Sequence, residues 1–249
     1  MTKTILITGA GSGFGKAAAI TLASRGHRVI ATTETADQAS ALAREQPSVE
    51  TMKLDVTNAD DVATAATLDV DVLVNNAGVG IMGPLATIPV DLIRTSFEVN
   101  VIGMAAMSQA VIPAMMAKGS GRIINVSSIA GVIASSMSCP YTMTKHAVEA
   151  FTKALRAELE PHGIDVTKVN PGPYNTGFND RMVNGAAAFI TDGDAAAAET
   201  HSFMQDVILK DQLDPAEVAT AIADLAEADT TPPEVFLPEG IVDLISAML

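Results

Sequence analysis

The chain has 249 residues, 48% of them hydrophobic, and a formal net charge of −14. Its length suits one α/β domain with a sizeable core, and its acidity argues against polyanionic partners, so neither nucleic acid nor membrane is expected as a partner. One cysteine and four scattered histidines leave no internal disulfide and no metal-ligand spacing, so no metal is expected and a reducing, cytoplasmic location is.

The first apolar run, KTILIT (3–8), starts without a charged, apolar, cleavable leader, and no run of about 18 apolar residues appears. It ends in TGAGSGFG (8–15), inside which a helix over 13–25 begins. Glycines there permit a tight turn and close backbone approach, and the helix N-terminus offers N–H groups to an anion such as a pyrophosphate. The spacing of Gly9, Gly13 and Gly15 is wider than G-x-G-x-x-G, so the motif alone weighs evenly against a ligand-free turn.

The second run, HRVIATT (27–33), leads to Thr33 and Glu34, and the third, VETMKL (49–54), to Asp55 and Val56. The fourth, VDVLVN (70–75), ends in NNAG, which either caps a turn or leaves room for the edge of an adenosine. A long helical period over 89–118 contains Asn100. The fifth run, GRIINVS (121–127), brings Ser127 and Ser128 to a strand end, where serines are often only turn residues.

Helical period returns over 140–161, and within it YTMTK stacks Tyr141 and Lys145 on one face. Taken alone, that pair is more often a polar helix edge than chemistry. The sixth run, GIDVTKV (163–169), leaves through NPGPYNT toward Thr176; residues 177–213 keep weak periodicity and read as a mobile insert or lid. A helix over 215–228 and the run EVFL (234–237) follow. This alternation predicts an α/β fold: one doubly wound Rossmann-like domain over 1–249, with a mostly parallel seven-stranded sheet covered on both faces. In such sheets ligands gather beyond the carboxyl ends of the strands.

TGAGSGFG, NNAG, Asn100 within FEVNVIG, the NVSS serine, YTMTK and PGPYNT together resemble, in order and spacing, the short-chain dehydrogenases/reductases over nearly the whole chain. The resemblance implies an NAD(P)-dependent oxidoreductase that interconverts a secondary alcohol and a ketone. The family's serine stands thirteen residues before its tyrosine, which selects Ser128 and leaves Ser127 facing away. It implies a catalytic set of Asn100, Ser128, Tyr141 and Lys145. Tyr141 is the general acid/base, Lys145 favours its phenolate and holds the nicotinamide ribose, Ser128 bonds the substrate oxygen, and Asn100 holds a water in the proton path. Cofactor contacts are implied at Gly9, Ser12, Gly13, Phe14, Gly15, Thr33, Glu34, Asp55, Val56, Asn76, Ala77, Gly78, Tyr141, Lys145, Pro171, Gly172 and Thr176.

NAD is expected over NADP, because the Glu34 carboxylate would accept from ribose hydroxyls and repel a 2′-phosphate, and Ser12 stands where NADP users often carry a cation. The walls expected around a small-molecule alcohol or ketone are 79–83, 129–139 and Phe178, Met182, Phe189, Phe203 and Met204, with Arg181 as their one cation, so the substrate is expected to be apolar. Three departures stand out. The short 55–75 stretch predicts a trimmed peripheral helix. Tyr174 replaces a small aliphatic residue, and either adds bulk beside the nicotinamide or turns outward. The C-terminus lacks the glycine-containing tail of many tetramers, while the two long helices resemble the family's dimer surface, so a homodimer or homotetramer is expected. The alternative is a catalytically silent dinucleotide-binding regulatory protein of the same fold, and the intact set of four counts against it.

Overall fold

The computed structural model describes residues 2–241 and Asp243. In chain order the first half comprises β1 (Thr4–Ile7), α1 (Gly13–Ser24), β2 (Arg28–Thr33), α2 (Ala36–Glu45), β3 (Glu50–Lys53), α3 (Ala59–Ala65), β4 (Val72–Asn75) and α4 (Val90–Phe97). A π-helical turn (Glu98–Gly103) joins α4 to α5 (Met104–Lys118), followed by β5 (Gly121–Val126), α6 (Cys139–Leu159), β6 (Ile164–Pro171), α7 (Phe178–Gly185), α8 (Ala195–Leu209), α9 (Ala216–Glu227) and β7 (Glu234–Leu237). The strands form one sheet in the order β3-β2-β1-β4-β5-β6-β7, every pairing parallel. The order reverses between β1 and β4, which opens the ligand crevice of a doubly wound sheet at their carboxyl ends.

Alternation along β1 shows why a central strand is apolar throughout. Ile5 and Ile7 pack with Ala18, Leu22 and Ile222 of α1 and α9, while Leu6 packs with Met107, Met115 and Leu155 of α5 and α6. Successive side chains point to opposite faces, and helices cover both.

Helices α2, α3, α7 and α8 go beyond the periodicity read from the sequence. The start of α2 is set by a capping box between Thr35 and Gln38, and that of α3 by Asn58, which accepts from the Asp60 and Asp61 main chain. Only seven residues long, α3 is the short peripheral helix expected of the 55–75 stretch. Residues 177–213 hold two helices and a 3-10 turn, Ala186–Phe189, and are stitched to the exit of β6 by a bridge between Tyr174 and Leu213.

The continuous helix Val90–Lys118 is long and apolar enough to cross a membrane by length and composition, with a mean hydropathy of 1.5 in an 18-residue window that is 39% buried. Scattered polar residues such as Gln109 break any unbroken apolar run without lowering that average much. In this fold Met107, Val111 and Met115 of the helix pack against the sheet.

Candidate active site

The loop after β1 is built by contacts that exclude side chains. Gly9 lies at φ +66°, and a Cβ there would fall 2.7 Å from the Ala77 Cα; a Cβ on Gly15 would fall 2.4 Å from Asn76 Nδ2 and 2.8 Å from the Gly9 carbonyl oxygen. Asn76 Nδ2 donates to the Thr8 and Gly9 carbonyls at 2.9 and 3.0 Å. The Thr8 hydroxyl accepts from the main-chain N–H of Asn76 and Ala77. Thr8 is not among the residues implied by the motifs, yet it clamps the two strand ends together.

Ser12 is the N-cap of α1 and makes no side-chain cap, and the first turn of α1 carries no acid. Its N–H groups are therefore left for an anion, and the side-chain-free cradle fits the pyrophosphate of a dinucleotide. Gly13, at φ +56°, lies against Thr176, whose Cβ would be 3.2 Å from an added Cβ. Phe14 packs edge-on against Tyr174, with ring centroids 5.6 Å apart.

Other implied cofactor contacts are placed as follows. Thr33 is buried and gives its hydroxyl to the Thr35 carbonyl at 2.9 Å, while Glu34 is exposed just beyond β2. The Asp55 carboxylate accepts from Thr57, and the Val56 side chain fills the space a Cβ on Gly103 would need. Pro171 ends β6, and Gly172 N donates to the Leu237 carbonyl at 2.7 Å, which holds the β6 exit on β7.

Asn100 lies on the π-helical turn and is buried. Its Oδ1 accepts from Val79 N, and its Nδ2 donates to the Val79 carbonyl, both at 2.8 Å, and to Thr144 Oγ1 at 3.0 Å. The widened helical turn brings the amide to the loop after NNAG, and a Cβ on Gly78 would lie 3.3 Å from Asn100 Oδ1.

Ser128, Tyr141 and Lys145 converge at the end of β5. Ser128 caps the 3-10 turn Ile129–Gly131, accepting from Ala130 N, and its hydroxyl lies near enough to the Tyr141 phenol to act on its ionisation. Lys145 donates from Nζ to the Val126 carbonyl at 2.9 Å, and Nζ lies 5.7 Å from the Tyr141 ring centroid. Tyr141 and Lys145 are both buried. Burial pushes the phenol up to about 12, opposed by the neighbouring Ser128 hydroxyl, and pushes the ammonium down to about 8, opposed by the charge of Glu149. Among the protein's own groups the phenol thus moves opposite to the expected direction. Desolvation dominates, and Lys145 is itself desolvated and turned toward a carbonyl.

Around Tyr141 the walls are apolar. Met82, Met137, Met182, Val183, Ala186 and Met204 form one buried cluster with it, joined by Phe178 and Ile190. The Phe178 ring stands 5.7 Å from the Tyr141 ring. Met137 holds φ +62°, uncommon for a side-chain-bearing residue, and its carbonyl accepts from Gly83 N. Phe203, expected in this wall, instead points to solvent at 60% exposure. Tyr174 does neither of the things expected of it. It is fully buried in the core, and its hydroxyl donates to Glu217 Oε2 at 2.7 Å.

A family model described as short chain dehydrogenase matches residues 3–187. The chain is 36% identical over 238 residues to the uncharacterized oxidoreductase YusZ of Bacillus subtilis, covering 90% of this chain and 84% of that protein. It is 38% identical over 182 residues to the 3-ketodihydrosphingosine reductase of Bacteroides thetaiotaomicron, covering 71% of this chain and 65% of the relative. A solved short-chain dehydrogenase from Streptomyces avermitilis superposes with a TM-score of 0.85 at 30% identity, over 100% of this chain and 93% of that one. The closed form of serine dehydrogenase complexed with NADP+ superposes with a TM-score of 0.81 at 26% identity, over 94% of each chain.

Proposed function

The chain belongs to the short-chain dehydrogenase/reductase family, and from that premise we propose that it interconverts an apolar secondary alcohol and its ketone, with Tyr141 as general acid/base. The observation that carries the reading is the convergence of a buried phenol, beside Ser128, with Lys145 on one helix face, beyond the strand ends that form the glycine cradle. A nicotinamide dinucleotide, when bound, supplies the hydride acceptor or donor and, in its oxidised form, a positive charge.

The residues of the chain do the rest. Ser128 bonds the substrate oxygen, and Tyr141 takes the alcohol proton at its phenol oxygen or returns it to the ketone. A phenol that burial holds near 12 needs nearby positive charge to serve as a base at neutral pH. Lys145 provides one such charge and the ribose contact. Asn100, its side-chain amide committed to Val79 and Thr144, fixes the loop beside the site and stands in the proton path to solvent.

Support for an apolar substrate comes from the methionine-rich cluster on Tyr141, and one relative is a 3-ketodihydrosphingosine reductase by name. NAD is preferred in this reading because Glu34 is exposed at the end of β2 and no cation stands at Ser12 or Thr33. The NADP+ complex of serine dehydrogenase marks the other outcome. We assign the assembly as a homodimer through α5 and α6. A groove of 440 Å³ beside α5 is lined by Val62, Ile102, Ala106 and Ala110, and one of 310 Å³ by Ile112, Pro113, Phe151 and Leu155. The tetramer alternative concerns the C-terminal tail, whose residues 242 and 244–249 lie outside the described residues.

The test is a screen of ketones and alcohols with both nicotinamides, using wild type, Tyr141→Phe and Glu34→Arg. Tyr141→Phe is expected to lose about 10² to 10⁴ in kcat with cofactor binding retained. Near-normal turnover in that variant would remove the mechanism. Glu34→Arg is expected to move kcat/KM toward NADP, and a wild type that prefers NADP would show that Glu34 does not read the ribose.

A further inference from the structure

Behind Ser128 and Lys145 lies a buried ion cluster that the proposed reaction leaves unused. Glu149 sits one helical turn beyond Lys145 on α6. Its Oε1 accepts from Ser127 Oγ and, at 2.7 Å, from Asn170 Nδ2; its Oε2 pairs with Lys168 Nζ at 2.6 Å. The Glu149 and Lys168 side chains retain only 14% and 10% exposure. Asn170 Nδ2 also donates to the Ser128 carbonyl at 3.1 Å, and Lys168 pairs with Glu234 of β7 at 2.8 Å. The carboxylate thus reaches Ser127 directly and Ser128 through Asn170. Room for it is kept by Gly131, where a Cβ would fall 2.7 Å from Glu149 Oε1 and 2.9 Å from Ser127 Oγ.

A buried ion pair adds little stability over an apolar pair of the same size, because desolvation offsets the attraction. What this one provides is a fixed negative charge and a fixed strand end. We propose that Glu149 is a positioning residue for the alcohol–ketone reaction, its carboxylate holding the Ser127–Ser128 strand end and supplying the negative charge that faces Lys145. The inference rests on the roles given to Tyr141 and Lys145 above.

The surroundings leave Glu149 as the nearby negative charge that acts on Lys145. Of the elements packed against α6, β6 presents Lys168 and, at its far end, Asp165, which is held by Arg122, Arg156 and Thr231. The charged groups of α4, the π-helical turn and the 3-10 turn Glu160–His162 are Asp91, Arg94, Glu98, Glu160 and His162, all exposed. The turn Ile129–Gly131 carries no charge, and on α6 itself His146, Lys153 and Glu158 are exposed. Burial lowers Lys145 and Glu149 opposes it, so the carboxylate keeps the lysine charged where the phenol needs a cation.

The experiment is a 13Cε NMR titration of the lysines in the full chain, with Lys145 assigned through Lys145→Arg, in wild type, Glu149→Gln and Lys168→Met. The glutamine side chain of the first variant keeps an acceptor for Ser127 and Asn170 while removing the charge. The Lys145 midpoint is expected to fall on the order of one pH unit in Glu149→Gln, the effect of losing one neighbouring opposite charge. It is expected to rise in Lys168→Met, which removes a repelling cation and frees Glu149 of its partner. A midpoint that stays put in Glu149→Gln, or fails to rise in Lys168→Met, overturns the proposal. Should Glu149→Gln not fold, Lys168→Met alone decides. The alkaline limb of kcat/KM for alcohol oxidation should move in the same two directions. The NMR midpoint needs no turnover, so a full rate in Tyr141→Phe would discard the reaction without touching the measured coupling between Glu149 and Lys145.

Discussion

The two walls of the cleft obey different rules. On the glycine wall backbone meets backbone and an amide already bonded to it: Gly9 against Ala77, Gly15 against Asn76 and the Gly9 carbonyl. On the substrate wall side chains meet side chains, as where Gly80 approaches the Met182 side chain and four methionines surround Tyr141. A backbone contact cannot yield without moving the sheet, whereas a methionine changes rotamer at little cost. The first wall therefore dictates residue type, and the second dictates mainly volume and polarity.

The sharpest way to break that contrast is a matched pair of glycine substitutions. Gly15→Ala puts a Cβ 2.4 Å from Asn76 Nδ2, an atom held by the Thr8 and Gly9 carbonyls, so the loop itself must shift. Cofactor Kd is expected to rise by about a hundredfold, or about 3 kcal/mol, as a displacement of the order of 1 Å commonly produces. Gly80→Ala meets Met182 Sδ at 2.7 Å and Met182 Cβ and Cγ at 2.9 Å, so the thioether turns away and α7 gives by a few tenths of an ångström. Its cost is expected to be about 1 to 3 kcal/mol, with cofactor Kd unchanged and substrate KM altered. Calorimetric titration of both variants with the dinucleotide checks the pair, and equal losses would erase the distinction between the walls.

Lys145 stands where the walls meet and is held there at a cost in stability. An unfolded lysine protonates below about 10.5, the folded one only below about 8. As pH falls through that window the unfolded state gains protons that the folded state refuses, and below 8 the penalty is constant at about 3 kcal/mol. Lys145→Met removes the penalty and loses the hydrogen bond to the Val126 carbonyl, worth about 1 kcal/mol. The variant is expected to be inactive yet about 2 kcal/mol more stable at pH 7, and its advantage should vanish as pH rises from 8 to above 10.5. Denaturant melts at pH 7, 9 and 11 test this. A variant less stable than wild type at pH 7 would mean that the charge is not suppressed by burial.

What could be read from the sequence follows the same division. Parallel strands announce themselves as apolar runs, and the positions of Gly9, Asn76, Ser128, Tyr141 and Lys145 are tied to strand ends and to one helix face, so the fold and the arrangement of those residues are legible. Helices α2 and α3 escape the periodicity although Thr35 with Gln38 and Asn58 with the following aspartates carry capping signals; both helices are short and mostly exposed. The weak period of 177–213 hides α7, which is only eight residues long, and α8, whose first turn is all alanine and gives little contrast between sides. Phe203 is misplaced for the same reason. Glu149 stands four residues past Lys145 in plain view, but its partners Lys168, Asn170 and Ser127 come from two strands, and no spacing in the sequence reveals that meeting.

Tyr174 tests the boundary between the walls with the smallest expected effect. It occupies the turn that carries Thr176 toward Gly13, and its ring supports Phe14 of the glycine loop edge-on. Its hydroxyl donates to Glu217 at 2.7 Å, and the residue carrying that acceptor is exposed. Tyr174→Phe keeps the ring and removes only the hydroxyl, and the released carboxylate can turn to water, so the loss should be near the value of an ordinary hydrogen bond, about 1 kcal/mol. Burial and the Glu217 carboxylate both hold the phenol well above its usual range. An unfolded tyrosine ionises above about 10, so wild-type stability from this group should decline as pH rises past that point. The difference between wild type and Tyr174→Phe should shrink there, which denaturant melts at pH 8 and 11 would show. Cofactor Kd should remain that of wild type, because Phe14 keeps its support. A large rise in Kd for this variant would mean that the hydroxyl, rather than the ring, sets the glycine loop, and that a side chain governs the wall described as backbone-built.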